Sequence, residues 1–271
     1  MAKLVKFHIF AHRNHRFNFH LINLKKAKKT VTKKDGKARS KVGGKKRLIW
    51  KIILYSVLAF FGSSIFFTIL YRFVPPPVTY LMIARKYETR TDGKTTGIDK
   101  KWVDLDQISP YLVTAVVASE DNNFREHFGF DFDAIKKVSE SNKKGKKIKG
   151  ASTISQQTAK NVFLWPARSW IRKGMEVYFT VLIEVFWGKK RIMEMYLNEI
   201  EMGDGIYGAE AASQEYFHKS AKNLTRDEAA AIAAVLPNPR KWHPDKPTAY
   251  IQHKTQKIME AMDRIGPVSF K

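Results

Sequence analysis

Residues 109 to 121 read SPYLVTAVVASED. Ser109 can serve as a helix N-cap and Pro110 suits the first helical position, where a missing amide hydrogen costs nothing. The run that follows, through Leu112, Val113, Ala115, Val116, Val117 and Ala118, is apolar on every side of a helical wheel, so other elements must enclose it. It ends on Glu120 and Asp121. A carboxylate at the end of such a helix is partly desolvated, which pushes its pKa toward neutrality and equips it as a general base or acid. Phe124, His127 and Gly129 follow within one or two turns.

Helical patterning continues toward the C-terminus. A weaker helix fits 131–139, and a Lys- and Gly-containing loop, SNKKGKKIKG, occupies 141–150. Thr153 and Gln156 have the spacing of a capping box that opens a helix toward Phe163. Ser169 can cap a long helix through Met175, Phe179, Leu182 and Phe186, stopping at Gly188. Further helices fit 191–200, 208–217, 226–236 and 248–265. Short strands are predicted only at 76–83 and near Trp102, so the fold class is mainly α.

Toward the N-terminus, residues 52 to 71 read IILYSVLAFFGSSIFFTILY, twenty residues without a formal charge between Lys51 and Arg72. At 1.5 Å per residue they reach roughly 30 Å, the thickness of a hydrocarbon core. The basic stretch ahead is too long for a signal peptide and no small-residue cleavage site follows, so this reads as an uncleaved anchor. Three regions are expected: a basic tail at 1–51, a transmembrane anchor at 52–74 and a catalytic domain at 75–271. Pro75, Pro76 and Pro77 stiffen the exit from the membrane.

The chain has 271 residues, 49 Lys and Arg against 25 Asp and Glu, and a net charge of +24. That charge first suggests nucleic acid or an anionic membrane. Residues 1–51 hold 17 of the bases and one acid, Asp35, so the tail carries +16 and the rest only +8. Lys45, Lys46, Arg47 and Lys51 crowd one end of the anchor, which predicts a cytoplasmic N-terminus and an external domain. The absence of cysteine excludes disulfides, thiolate zinc sites and thiol nucleophiles.

Two further clusters carry chemistry. Gly150-Ala-Ser-Thr-Ile-Ser-Gln-Gln157 opens a helix after a loop, so backbone N–H groups and the hydroxyls of Ser152 and Thr153 form an anion seat. Lys160, Arg168, Arg172 and Lys173 add a positive field suited to a diphosphate. Arg172 and Glu176, four apart on one helix, are either a surface salt bridge or a second carboxylate facing that field, able to hold a divalent cation or tune Lys173. Spacing alone does not choose between them. Gly93-Lys94-Thr95 lacks the leading glycine of a phosphate-binding loop, and Ser141 with Lys144 lacks the Lys-Thr-Gly partner of a penicillin-binding site. His8, His12 and His15 have metal-ligand spacing in a tail that faces solvent.

Taken together, ASEDNNFREHFGFD (118–131), GASTISQQTAKN (150–161), RKGMEV (172–177), KKRIMEMYLNEIEMGDGIYGAEAASQEYF (189–217) and LPNPR (236–240) resemble, in order and spacing, the motifs of the peptidoglycan glycosyltransferases, glycosyltransferase family 51, in their monofunctional form without a transpeptidase module. The resemblance covers residues 75 to 265. It implies a lysozyme-like, two-lobed helical domain behind one transmembrane helix, in the bacterial inner membrane with its catalytic domain periplasmic. The implied reaction polymerises lipid II into glycan strands during cell-wall biogenesis, forming β-1,4 bonds with inversion and releasing undecaprenyl diphosphate. Glu120 matches the catalytic base and Glu176 the second glutamate on the diphosphate side. Ser152, Gln156, Gln157, Lys160, Asn161, Arg168, Arg172 and Lys173 match donor-lining positions, while Asp121, Phe124 and His127 match residues shaping the site beside the base. Asn123 stands where some members have a basic residue.

No organic cofactor is implied, and there is room for a divalent cation, Mg or Mn, at Glu176. The implied partners are lipid II, the nascent strand, the bilayer, and cell-wall synthases and division proteins, with no nucleic acid. Tyr80, Leu81, Met82 and Ile83 are candidates for lipid contact. Two rival readings are a lysozyme-like hydrolase with Glu120 as general acid, which would need a second carboxylate across the sugar, and a membrane-tethered nucleic-acid binder.

Overall fold

The computed structural model describes residues 38–88, 97–143, 152–167 and 169–270, and the side chains of 44–88, 97–141, 152–167 and 169–270. The tail histidines, Gly93-Lys94-Thr95, Lys144, most of the 141–150 loop and Arg168 lie outside the described residues. Ten α-helices and three short strands are present among the described residues, in agreement with a mainly α chain.

The apolar run forms part of α1, Ala38–Phe73, the one described helix long and apolar enough to cross a membrane. It begins fourteen residues before the expected anchor, inside the basic tail, because Lys and Arg are good helix formers and no proline intervenes. Ser64 and Thr68 are buried while most of the span is exposed. Ser64 Oγ is 2.7 Å from Tyr178 Oη, and Trp187 Nε1 donates to Thr68 O at 2.6 Å.

After the prolines comes a helix, α2 (Tyr80–Tyr87), where the sequence predicted a strand. Thr79 Oγ1 accepts from the Met82 amide and caps it, and Arg85 and Lys86 sit in its last turn, favourable ends for a helix. Of the four residues expected to face lipid, Tyr80 and Ile83 are exposed and Leu81 is half-buried, but Met82 is fully buried in the domain. Near Trp102 the strand expectation holds: β1, Asp99–Lys100, pairs in parallel with β3, Ile206–Tyr207, and β2, Glu201–Gly203, pairs antiparallel on the other side of β3.

The central helix is α3, Pro110–Glu120, buried from Leu112 to Ala118. It packs on α9, Arg226–Val235, and α10, Ala249–Ile265. A second group has α5, Ile154–Phe163, against α6, Trp170–Phe186, and α7, Gly188–Glu199, with Phe163 and Phe179 stacked 4.5 Å apart. The other two helices are α4, Phe132–Lys143, and α8, Ala209–Phe217. Thr153 and Gln156 make the expected capping box on α5, and Ser169 caps α6 through the Arg172 amide. Ser109 precedes α3, but its hydroxyl donates to Leu224 O at 2.9 Å and does not cap, since the neighbouring segment offers a buried carbonyl.

Candidate active site

The C-terminal end of α3 and the N-terminal end of α5 are tied by Asp121. Its Oδ2 accepts from the Ile154 amide at 3.0 Å, and its Oδ1 lies 2.8 Å from His127 Nε2. A carboxylate on the open amides of a helix start is favoured by hydrogen bonding and by the dipole. Thr153 Oγ1 donates to Gly129 O at 2.7 Å and fastens the 121–131 turn to the same helix start. Gly129 has φ +78°, and a Cβ there would lie 2.8 Å from Thr180 Cγ2, so the close approach requires glycine. Phe124 is fully buried, in edge contact with His127 and Phe270. Asp121, Phe124 and His127 are thus a brace beneath the site.

This brace leaves Glu120, half-buried, with a single side-chain hydrogen-bond partner among the described residues: Gln157 Nε2 donates to its Oε2 at 2.8 Å. Each partner of that bond lines a cavity. One, of about 380 Å³, is lined by Gln157, Lys160, Asn161 and Arg172 together with Arg85, Glu201 and the Leu236–Pro239 turn. The other, also about 380 Å³, is lined by Glu120, Asn122, Asn123, Asp131, Lys137 and Ser152. The first presents cations to a ligand, the second mostly amides, hydroxyls and carboxylates.

Burial pulls the Lys160 ammonium below its usual pKa, reinforced by Arg172 and Lys173 and opposed by Glu176 and Glu120. Arg172 Nη1 donates to Glu176 Oε2 at 2.7 Å, and Lys173 Nζ donates to the other carboxylate oxygen. Glu176 is 3% exposed, so the pair is not a surface salt bridge. Its function in the geometry is to hold two cations in place and offset part of their mutual repulsion. As the seat of a divalent cation the cluster does not fit: both Glu176 oxygens already meet cations, and among the described residues no three His, Asp or Glu side chains converge.

The sequence-predicted residues thus divide. Glu120, Asp121, Ser152, Gln157, Lys160, Asn161 and Arg172 line the two cavities, Asp121 at the edge of the second as well as in the brace. Gln156 lines neither, because its side chain accepts from the Thr153 amide within the capping box. Lys173 bonds to Glu176 from outside the lining. Sequence reading missed Arg85, Glu201, Lys254 and Tyr196. Tyr196 Oη lies 3.4 Å from Gln157 Oε1, and the Lys254 ammonium, which donates to Ala234 O at 2.7 Å, feels the charge of Glu120. These residues come from α2, β2, α10 and α7, distant in sequence, and no local spacing rule reaches across such distances. Asp131, like Tyr196 and Glu201, lies within a quoted motif stretch without being singled out there; its carboxylate accepts from the Ala134 amide and from Asn123, which holds its pKa below the usual carboxylate range.

Residues 88–263 match the family model described as transglycosylase. Over 216 residues the chain is 54% identical to a biosynthetic peptidoglycan transglycosylase of Caulobacter vibrioides, covering 80% of this chain and 92% of the relative. It is 54% identical over 217 residues to the protein of the same description in Bdellovibrio bacteriovorus, with 80% and 86% covered. It is 51% identical over 220 residues to that of Bacteroides thetaiotaomicron, with 80% and 89% covered.

Proposed function

The chain belongs to the transglycosylase family and is a peptidoglycan glycosyltransferase, and from that premise we propose how its cleft builds glycan strands. The donor is the growing strand on undecaprenyl diphosphate, and its diphosphate occupies the cavity of Lys160 and Arg172. The acceptor is lipid II, whose N-acetylglucosamine 4-hydroxyl lies in the cavity beside Glu120. The carboxylate of Glu120 takes the hydroxyl proton as the oxygen bonds to the anomeric carbon from the face opposite the diphosphate. The carbon–oxygen bond to the diphosphate breaks, its electron pair leaves on undecaprenyl diphosphate, and a β-1,4 bond remains with inversion. Leaving-group charge is met by Lys160 and Arg172, the latter held by Glu176, so electrostatic stabilisation replaces a strong general acid.

The observation that carries this reading is the Gln157–Glu120 hydrogen bond, which joins the carboxylate to the wall of the cation-lined cavity. A neutral polysaccharide gives a hydrolase no use for those cations. The protein is membrane-associated through α1; the inner membrane, a cytoplasmic N-terminus and a periplasmic catalytic domain are the placement we infer from the lysines before the span. Incubation of the full chain with lipid II in detergent is expected to give long glycan strands and free undecaprenyl diphosphate. Cleavage of preformed strands without polymerisation would overturn the reading in favour of the hydrolase.

A further inference from the structure

A third cavity, of about 520 Å³, is lined by Arg125, Trp187, Gly188, Lys189, Lys190, Ser269 and Phe270. None of these residues lines either cavity of the cleft. We propose that it binds the phosphate of an anionic phospholipid headgroup.

Depth is the first argument. Trp187, which forms one wall, donates its indole N–H to Thr68 O of the membrane-spanning helix, and Arg191, one turn further along α7, donates to Tyr71 O. Thr68 is three residues from Tyr71, where the uncharged stretch ends, roughly 4.5 Å along the helix axis, so Trp187 sits at the border between hydrocarbon and headgroups, the customary depth of tryptophan.

Charge is the second argument. Among the described residues the lining contains three cations and no carboxylate. Lys189 is committed: its ammonium donates to Glu184 at 2.7 Å and lies 4.6 Å from the Phe124 ring centre. Arg125 and Lys190 are exposed and have no ion pair among the described residues. Two uncompensated cations in a hollow beside a membrane helix match one phosphate at the end of two acyl chains. Val185, two residues before Trp187, is 58% exposed and offers apolar surface to those chains.

The test is native mass spectrometry of the full chain released from detergent micelles, with phosphatidylglycerol or phosphatidylcholine added in turn. Wild type is expected to retain phosphatidylglycerol and not phosphatidylcholine. A double variant, Arg125→Gln with Lys190→Gln, is expected to hold phosphatidylglycerol roughly 30-fold more weakly, about fivefold for each basic residue at a membrane surface. Both side chains are exposed, and an unchanged melting temperature confirms that the fold survives. Equal retention by wild type and variant, or equal retention of the two lipids, overturns the proposal. Displacement of the bound phosphatidylglycerol by lipid II also overturns it and gives the cavity to substrate. Because the readout is lipid retention, it stands or falls separately from the polymerase reading.

Discussion

Glu120 and Glu176 are both carboxylates on helices bordering one cleft, yet their surroundings differ. Glu120 is half-buried and receives one hydrogen bond, from the neutral amide of Gln157. Glu176 is buried and has a cation on each oxygen. A carboxylate with Arg172 on one oxygen and Lys173 on the other has both oxygens engaged, whereas one held by a single amide keeps an oxygen free to meet a substrate hydroxyl. The division of labour follows from the partners, not from the residue type: one glutamate handles the proton and the other orders positive charge.

The strongest challenge to that division is Glu120→Gln. The substitution preserves shape and leaves an oxygen for Gln157 to meet, so the fold and donor binding should persist while kcat falls by at least ~100-fold, the scale of a lost general base. Strand synthesis from lipid II, followed beside a thermal melt, measures both. Activity within tenfold of wild type would remove Glu120 from the proton step.

How much of this was readable before the structure depends on distance along the chain. The cap of α5 by Thr153 and Gln156 and that of α6 by Ser169 are contacts over three residues, and a spacing rule finds them. The burial of α3 follows from an unbroken apolar run. By contrast 76–83 misled, because a short apolar stretch after prolines fits a strand as well as a helix, and Thr79 as a cap decided the matter. The role of Gln156 also escaped: a glutamine at the start of a helix beside an anion seat serves equally well as ligand or cap, and only the Thr153 amide within reach of its oxygen shows which. Arg85, Tyr196 and Lys254 converge on the cleft through tertiary packing that no window of sequence contains.

On the cationic side, a smaller but two-signed effect is expected. Lys160 is charged in a place that burial makes unfavourable, and its pKa is lowered for that reason. Lys160→Met should therefore slow polymerisation by ~10-fold or more, the scale of one charge-assisted hydrogen bond to the diphosphate, while raising folding stability by about 1 kcal/mol. The sign with pH also follows. A lysine whose folded pKa lies below its unfolded one binds fewer protons folded than unfolded, so wild-type stability recovers as pH rises toward the ordinary lysine range near ~10.4. Melts of both proteins from neutral to alkaline pH should converge. A variant less stable than wild type at neutral pH would mean that Glu176 and Glu120 more than offset the burial of Lys160.

The finest probe of the Glu120 side is Tyr196. Fully enclosed, its hydroxyl has its pKa raised well above the ordinary value, first by burial and then by the charges of Glu120 and Asp121, so it remains a neutral donor. Its hydrogen bond to Gln157 Oε1, 3.4 Å, is long, but it decides which way the amide faces. With the oxygen toward Tyr196, the nitrogen donates to Glu120; were the amide turned, two oxygens would oppose each other. Tyr196→Phe removes that bias and should lower kcat by only ~3- to 5-fold, the worth of one neutral hydrogen bond, with KM for the donor unchanged. The conservative variant Gln157→Asn, too short to bridge the two, should lower kcat at least as much as Tyr196→Phe, because both act through the amide that meets Glu120. A rise in KM with kcat unmoved would make Tyr196 a packing residue, and the orientation of Gln157 would then have to come from the cation-lined wall alone.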